Sequence, residues 1–333
     1  MVHINNSLLE MAYRTNDNSI IQQAWRTSFQ FKSLKDMCKC ILIWYKTKDV
    51  STEFVQALLE TVYLGSNHDS FCEEYWEVLL CVPNTYYRKS LYEEAVHEYK
   101  RLLNLYPPLL IRFRSLVNLG STWLELKNYG EAHLAFTEAL KHSVKRDVIF
   151  GRIHQGLGIT SRQLGLWQDA MNHTAIASET FLNAQDLTRY NYTKVNRAVL
   201  LLDNGILTEA FILLQESYKF CEKQDDFEGV SKICEEFARY YFYNTNYELT
   251  LYWSNVGLDF VDRDYNTSAR LLTWKLFSYV KKNLIQLAMD SIRVIKSLLG
   301  RNCEDLLLSI DPNMDTEFKL DIRRMIEGVK YFV

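Results

Sequence analysis

The groups with which this sequence could do chemistry are amides and guanidiniums. Asn118 and Asn196 can each donate a hydrogen bond to the backbone of an extended peptide and accept one from it. Arg152, Arg162 and Arg239 can each hold a carboxylate through two parallel hydrogen bonds. The alternatives are that each asparagine is a solvated surface residue and that each arginine pairs with an Asp or Glu of the chain itself. These residue types indicate ligand binding rather than catalysis.

Motifs for metal binding and nucleophilic catalysis are absent from the sequence. Cys38 and Cys40 have no second ligand pair at a zinc-like spacing, so they are interpreted as ordinary thiols. The histidines form neither a His-x-x-x-His nor a His-Glu-x-x-His pattern. The sequence also contains no glycine-rich phosphate loop and no nucleophile elbow. We therefore expect no enzymatic activity, no metal and no cofactor.

Composition favours a folded, helical chain. The 333 residues are 48% hydrophobic, and 12 Gly and 4 Pro are too few to supply the turns of an all-β protein. A net charge of -3 with interspersed charges offers no basic surface for nucleic acid or anionic lipid. The seven cysteines follow no paired spacing. With no apolar run near the roughly 18 residues of a membrane helix, we expect a soluble cytoplasmic protein with free thiols.

A repeat of small and large residues runs through the middle of the chain. In its clearest unit, small Gly120, Ala132 and Ala139 alternate with large Trp123 and Phe136. Small residues at these positions let two antiparallel helices approach closely, and the pattern resembles the tetratricopeptide repeat. The register recurs downstream at Gly158, Gly165, Ala170, Ala177, Ala198, Gly205, Ala210, Ser217, Ala238, Thr250 and Gly257, and more weakly at Ala95 and Ala288.

The repeat is longer than the standard tetratricopeptide unit. Gly120, Gly158, Ala198 and Ala238 are 38, 40 and 40 residues apart, against about 34 in the standard repeat. Such elongated repeats are similar to those of the peptide-sensing regulators of Gram-positive bacteria and their phages, which bind short signalling peptides as in quorum sensing. The resemblance implies an all-α, right-handed solenoid of antiparallel helix pairs. It also implies an asparagine clamp on the peptide backbone.

In such solenoids the first helix of each pair lines the concave face. The repeat register therefore predicts which polar side chains a bound peptide would contact. They are Arg114, Asn118, Arg152, Gln155 and Arg162 in the first two clear units, and Asn196, Asp203, Lys232, Arg239 and Tyr243 in the next two.

The carboxylate clamp of chaperone-binding tetratricopeptide domains fits the sequence less well. Asn118 and Arg152 fall at two of its positions, but Gly156 stands where a further cation is expected. Pro83 is also expected to interrupt the first helix of the upstream unit, which would then supply no ligands. This alternative is disfavoured.

Three segments are expected along the chain. Residues 1–70 form an N-terminal helical segment, with a break at 16–19 and Ser51 as a helix N-cap. Residues 71–305 form the repeat array. Residues 306–333 contain a helix that caps the last repeat.

The N-terminal segment bears on the choice between functions. It has seven Lys or Arg and seven Asp or Glu residues, which is no surplus for binding DNA. We therefore predict a peptide-responsive regulator that acts through protein–protein interaction, with a homodimer left open. The alternatives are a constitutive scaffold and a transcriptional regulator with a divergent DNA-binding region. An enzyme acting on a phosphorylated partner would need Gln22 or Gln23, which no motif supports.

Overall fold

The computed structural model describes residues 2–31, 33–48, 50–66, 73–143, 147–261, 264–310 and 314–330. Within these ranges the regular elements are eighteen α-helices and one short 3-10 helix, without a β-strand. The predicted all-α fold is confirmed. The chain divides into two compact units, Met1–His173 and Thr174–Val333. This boundary differs from the three segments expected from the sequence, which stay a prediction.

Unit 1 contains nine complete helices among its described residues and the start of a tenth. Consecutive helices pack against each other in adjacent pairs. Their bounds are α1 Val2–Thr15, α2 Asn18–Gln30, α3 Leu34–Lys46, α4 Thr52–Gly65, α5 Glu73–Arg88, α6 Tyr92–Asn104, α7 Leu109–Glu125, α8 Tyr129–Lys141, α9 Val148–Gln163 and α10 Trp167–Asn183.

The N-terminal part of unit 1 follows the sequence prediction. Helix α1 ends at Thr15 and α2 begins at Asn18, so residues 16 and 17 separate the two helices. The hydroxyl of Ser51 accepts a hydrogen bond from the backbone N–H of Phe54, which caps α4. Trp44 and Phe54 pack edge to face in the core of these helices, with 5.6 Å between ring centroids.

Unit 2 continues α10 and adds eight further α-helices among its described residues. Their bounds are α11 Leu187–Asp203, α12 Leu207–Lys223, α13 Phe227–Tyr243, α14 Tyr247–Asp259, α15 Tyr265–Lys281, α16 Ile285–Leu299, α17 Cys303–Ser309 and α18 Thr316–Lys330, with the 3-10 helix Gly300–Asn302 before α17.

The end of unit 2 is covered by a C-terminal helix. Phe318, Ile322 and Ile326 of α18 are buried in one cluster with Trp274 and Phe277. The rings of Phe277 and Phe318 meet edge to face with centroids 5.2 Å apart. The apolar stripe of α18 thereby shields the last helix pair from solvent.

The small residues of the repeat lie where the helices cross. A Cβ atom added at Gly120 would come within 2.9 Å of the Phe136 ring, and one at Gly257 within 2.8 Å of the Leu271 side chain. The alanines of the repeat have no exposed surface, among them Ala95, Ala132, Ala170, Ala177, Ala198, Ala210, Ala238 and Ala288. The packing positions read from the sequence are therefore confirmed.

The turn between the two helices of each pair places one residue in the left-handed region. Gly165 and Gly205 adopt it, with φ of 75° and 72°. Glycine carries no Cβ penalty there. The equivalent turns use the non-glycine residues Ser90, Lys127, Thr245 and Asn283, with φ between 55° and 58°.

Candidate functional site

A cavity of about 280 Å³ opens between the helices of unit 1. It lies where α3, α5, α6, α7 and α9 approach each other. We call it the α5–α7–α9 cavity. Its lining residues are Tyr45, Asn84, Tyr87, Arg88, Tyr99, Asn118, Ser121 and Arg152.

A ladder of polar side chains crosses this cavity. Its members lie on α5, α7 and α9, each the first helix of a helix pair. Asn118 donates from Nδ2 to Asn84 Oδ1 at 3.0 Å, and the two residues are 34 positions apart in the sequence. Arg152, 34 positions further on, donates from Nη2 to Asn118 Oδ1 at 3.5 Å. The Tyr99 hydroxyl donates to Asn84 Oδ1 as well. Asn118 is therefore held by neighbouring helices, so the alternative of a freely solvated Asn118 is wrong.

Helix α5 supplies three of the lining residues, although the sequence predicts that Pro83 interrupts it. That expectation is wrong, because Pro83 lies inside a continuous helix. Of the two arguments against a carboxylate clamp, only the absence of a cation at Gly156 therefore still holds. A proline removes one backbone hydrogen bond and crowds the preceding turn. Seven residues of α5 are buried, Pro83 among them. This packing offsets the local cost, and Asn84 and Arg88 come to lie one turn apart facing the cavity.

Arg88 is fixed against α3. Its guanidinium lies over the Tyr45 ring at 3.7 Å from the centroid, and Nη1 donates to the Tyr45 carbonyl oxygen at 3.1 Å. A stacked guanidinium keeps its edge available for hydrogen bonding in the ring plane. Arg88 and Asn84 were not among the residues predicted from the sequence. The 34-residue spacing from Asn84 to Asn118 could have identified Asn84 as a repeat position. The neighbouring Pro83 instead led to the prediction of an interrupted helix.

The tyrosines of the cavity remain protonated at neutral pH. Burial raises the pKa of Tyr45 above its usual range, although Arg88 nearby lowers it in part. Burial also raises the pKa of Tyr99. Burial and the carboxylate of Glu125 raise the pKa of Tyr87, whose hydroxyl lies 3.2 Å from Glu125 Oε1. These hydroxyls are therefore hydrogen-bond donors.

The other predicted residues of unit 1 lie on the same first helices. Arg114 Nη1 is 2.6 Å and 2.7 Å from the two carboxylate oxygens of Glu77, which ties α7 to α5. Gln155 is half-buried on α9 and has no hydrogen-bond partner among the described residues. Arg162 is half-buried near the end of α9. Their contact with a peptide stays a prediction.

In unit 2, three of the predicted residues form one buried network. The Arg239 side chain is 3% exposed and donates to Asp203 of α11. It also lies 3.6 Å from Glu236 Oε2, and its Nε is 3.1 Å from the Tyr243 hydroxyl. A ligand could reach Arg239 only by displacing an internal partner. Arg239 therefore forms an ion pair within the chain, which is the second of the two interpretations drawn from the sequence.

The remaining predicted residues of unit 2 are more accessible. Asn196 is half-buried on α11 and has no hydrogen-bond partner among the described residues. Lys232 is exposed and lies 2.5 Å from Glu228 Oε1, one helical turn away. Surface pairs of this kind contribute little to stability. A peptide contact at Asn196 or Lys232 stays a prediction.

The described cysteines form no disulfide. Six of them are buried, while Cys72 lies outside the described residues. Burial raises the pKa of Cys40, Cys81 and Cys221 to about 12. Thiols that stay protonated make poor nucleophiles and poor metal ligands. The described part of the chain also holds no cluster of three or more His, Cys, Asp or Glu side chains that could bind a metal ion.

Comparison with solved structures decides the fold. A tetratricopeptide repeat protein from Parabacteroides merdae ATCC 43184 matches with a TM-score of 0.59 and 12% identity, over 90% of this chain and 99% of that one. The fold is that of the tetratricopeptide repeat proteins. The sequence matches no protein-family model and no curated protein. Of the helices in the described ranges, none has the length and apolar character needed to cross a bilayer.

Two further similar structures are complexes with a bound factor or peptide. A Rap protein complexed with competence and sporulation factor matches with a TM-score of 0.66 and 10% identity, over 89% of this chain and 88% of that one. NprR in complex with its cognate peptide NprX matches with a TM-score of 0.61 and 11% identity, over 90% and 91%. The expected likeness to peptide-sensing regulators is therefore confirmed at the level of the fold.

Proposed function

We propose that this chain is a peptide-binding tetratricopeptide module that regulates a partner protein according to whether the peptide is bound. The observation that carries the proposal is the Asn84–Asn118–Arg152 ladder across the open α5–α7–α9 cavity. Amide and guanidinium groups fixed on first helices are suited to the backbone and charged groups of an extended peptide. The solved complexes of NprR and of a Rap protein, which share the fold, support the same function.

The regulatory part of the proposal follows from the ladder itself. Its hydrogen bonds join α5, α7 and α9, so a ligand that reorganises them changes how these helices pack. Such a change alters the surface offered to a second protein. The described cysteines are buried and form no disulfide, which supports action in a reducing cytoplasm.

Mass spectrometry of the protein purified from its own cells tests the proposal. We expect a short peptide to co-purify with the full chain and to be depleted from the Arg152→Gln variant. The matched control is Arg101→Gln, because Arg101 is an exposed residue of α6 outside the cavity. If neither the parent nor the control carries a peptide, and none binds when cell extract is added back, the proposed function is wrong.

A further inference from the structure

We infer that the α5–α7–α9 cavity recognises a carboxylate, either the carboxyl end of the peptide or an Asp or Glu side chain within it. This inference rests on the proposed function, because it is a peptide that would carry the carboxylate to the cavity. It deepens that function by naming the chemical group that the cavity selects.

The polarity of the hydrogen bonds is the first support. Asn84 Oδ1 accepts from both Tyr99 and Asn118, and Asn118 Oδ1 accepts from Arg152. Both amide oxygens are thus already engaged by donors of the chain. The tyrosine hydroxyl of Tyr45 keeps its proton, since burial raises its pKa. The hydroxyls of Ser121 and Tyr87 already donate, to the Val117 carbonyl oxygen and to Glu125. Arg88, Arg152 and the Tyr45 hydroxyl supply N–H and O–H donors to the lining, which favour an acceptor-rich ligand.

Charge is the second support. Arg88 and Arg152 both line the cavity, and the described residues of its lining include no carboxylate. Arg88 forms no ion pair with any described residue, and its partners are the ring and carbonyl oxygen of Tyr45. The carboxylate of Glu125 accepts from Tyr87 but does not belong to the lining. A negatively charged ligand therefore complements the cavity.

Shape is the third support. The stack on Tyr45 fixes the plane of the Arg88 guanidinium, so its free edge presents parallel N–H groups in the geometry that a carboxylate accepts. At about 30 Å³ per water molecule, 280 Å³ holds about nine waters. That space suits a carboxylate together with the residue that carries it.

The test uses immobilised full-length protein and three libraries of N-acetylated hexapeptides built from uncharged residues. The first library has a free carboxyl end, the second is amidated, and the third is amidated but contains one Asp or Glu. Peptides retained on the protein are quantified by mass spectrometry. We expect a carboxylate-bearing library to be retained about 10-fold or more above the amidated uncharged one.

Variants assign the effect to the cavity. Arg88→Gln and Arg152→Gln should each reduce retention of the carboxylate-bearing peptides to near the amidated level, whereas Arg101→Gln should leave it unchanged. Arg88→Lys, which keeps the charge but loses the planar stack, should retain part of the preference. Thermal melting of each variant shows whether it is folded. If Arg88→Gln does not fold, retention by Arg152→Gln shows whether the cavity is responsible for the effect.

The outcomes separate the two sources of the carboxylate. Preference for the first library alone identifies the carboxyl end, and preference for the third alone identifies an acidic side chain. Equal retention of all three libraries leaves peptide binding intact and overturns the carboxylate inference.

If no library is retained, the proposed function is contradicted, and saturation-transfer NMR with N-acetylglycine and its amide decides the inference on its own. Binding of the acid but not of the amide, lost in Arg152→Gln, would support it. Equal behaviour of the acid and the amide would overturn it.

Discussion

In each unit, polar side chains link the first helix of one pair to the first helix of the next pair. The chemical groups that form these links differ between the two units. In unit 1, Asn84, Asn118 and Arg152 form a ladder of amides and a guanidinium beside an open cavity. In unit 2, the guanidinium of Arg239 is buried between two carboxylates. The contacts span 34 residues in unit 1 and 36 residues between Asp203 and Arg239 in unit 2.

The difference shows how one repeat position can serve two purposes. Where an arginine meets buried carboxylates of the neighbouring helices, its charge is compensated and the contact fixes helix packing. Arg270 and Glu235 repeat this arrangement in unit 2, with 2.6 Å between Nη2 and Oε1. Where the neighbours are amides at an open cavity, the same helix position is suited to a ligand. The comparison therefore separates structural arginines from candidate binding arginines.

Removing the buried guanidinium of unit 2 should have the largest effect. Arg239→Ala leaves Asp203 and Glu236 without their shared cation in a buried site, which should cost about 3–5 kcal/mol of unfolding free energy. Urea titration followed by circular dichroism measures this. The control is Arg189→Ala, whose pair with Asp186 is exposed and should contribute at most about 1 kcal/mol. A loss below 1 kcal/mol for Arg239→Ala would mean that the network is not structural.

Acid should weaken unit 1 through a histidine pair. His154 Nδ1 lies 2.8 Å from His173 Nδ1, a distance that holds one proton between the rings but not two. Burial lowers the pKa of His173, with nearby His133 also lowering it and Asp169 opposing the shift. The unfolded chain, with a histidine pKa of about 6.5, therefore binds more protons than the folded one below that pH.

The stabilisation from the neutral pair is thus present above about pH 6.5 and lost as the pH falls toward the depressed pKa of His173. Losing the hydrogen bond between the rings should cost about 1–1.5 kcal/mol. Protection factors from hydrogen exchange, which remove the pH dependence of the intrinsic exchange rate, should be lower in α9 of the parent at pH 5.5 than at pH 7.5, with a smaller change in His173→Gln. Identical pH dependence in the two proteins would rule out this role of the pair.

The two asparagines should differ in their effect on stability. Asn118→Ala removes the centre of the ladder and should cost about 1 kcal/mol, because Asn84 and Arg152 each lose a partner. Asn196→Ala should change stability by less than about 0.5 kcal/mol, since Asn196 has no hydrogen-bond partner among the described residues. Differential scanning calorimetry compares the two. Equal melting temperatures would show that the ladder does not contribute to the stability of unit 1.

The smallest expected effect concerns a turn of unit 2. Thr245 is β-branched and adopts φ of 57°, where the equivalent turn of the preceding pair has Gly205. Thr245→Gly should relieve this strain at some entropic cost, for a net gain of about 0.5 kcal/mol. Gly205→Ala should lose stability by about 1 kcal/mol in the same assay. A destabilised Thr245→Gly variant would show that the threonine side chain has a packing role.

The fold was predictable because helix packing repeats. Small residues at equivalent repeat positions, such as Ala132, Ala170 and Ala210, lie at the crossings of helix pairs whatever residues lie between them. Their spacing was therefore sufficient to predict a fold of repeated helix pairs. The long helices follow from the 38- to 40-residue spacing, and α7 and α11 have 17 residues each.

The site was only partly predictable, because burial and charge compensation depend on distant residues. Asn118 and Arg152 were found from the repeat register, and both line the cavity. Arg239 was predicted to bind the ligand, because a sequence does not show that Arg239 of α13 donates a hydrogen bond to Asp203 of α11. Asn84 and Arg88 were missed because a local rule about Pro83 was applied where tertiary packing overrides it.

Hydrogen exchange of the full chain with and without its bound peptide tests the central claim most directly. The peptides retained by the immobilised protein, added in excess, are the probe. Binding at the α5–α7–α9 cavity predicts slower exchange in residues 73–88, 109–125 and 148–163, and no such protection in Arg152→Gln at the same peptide concentration. Protection confined to unit 2 or to the helices of residues 2–65, with these three helices unchanged, would contradict the claim.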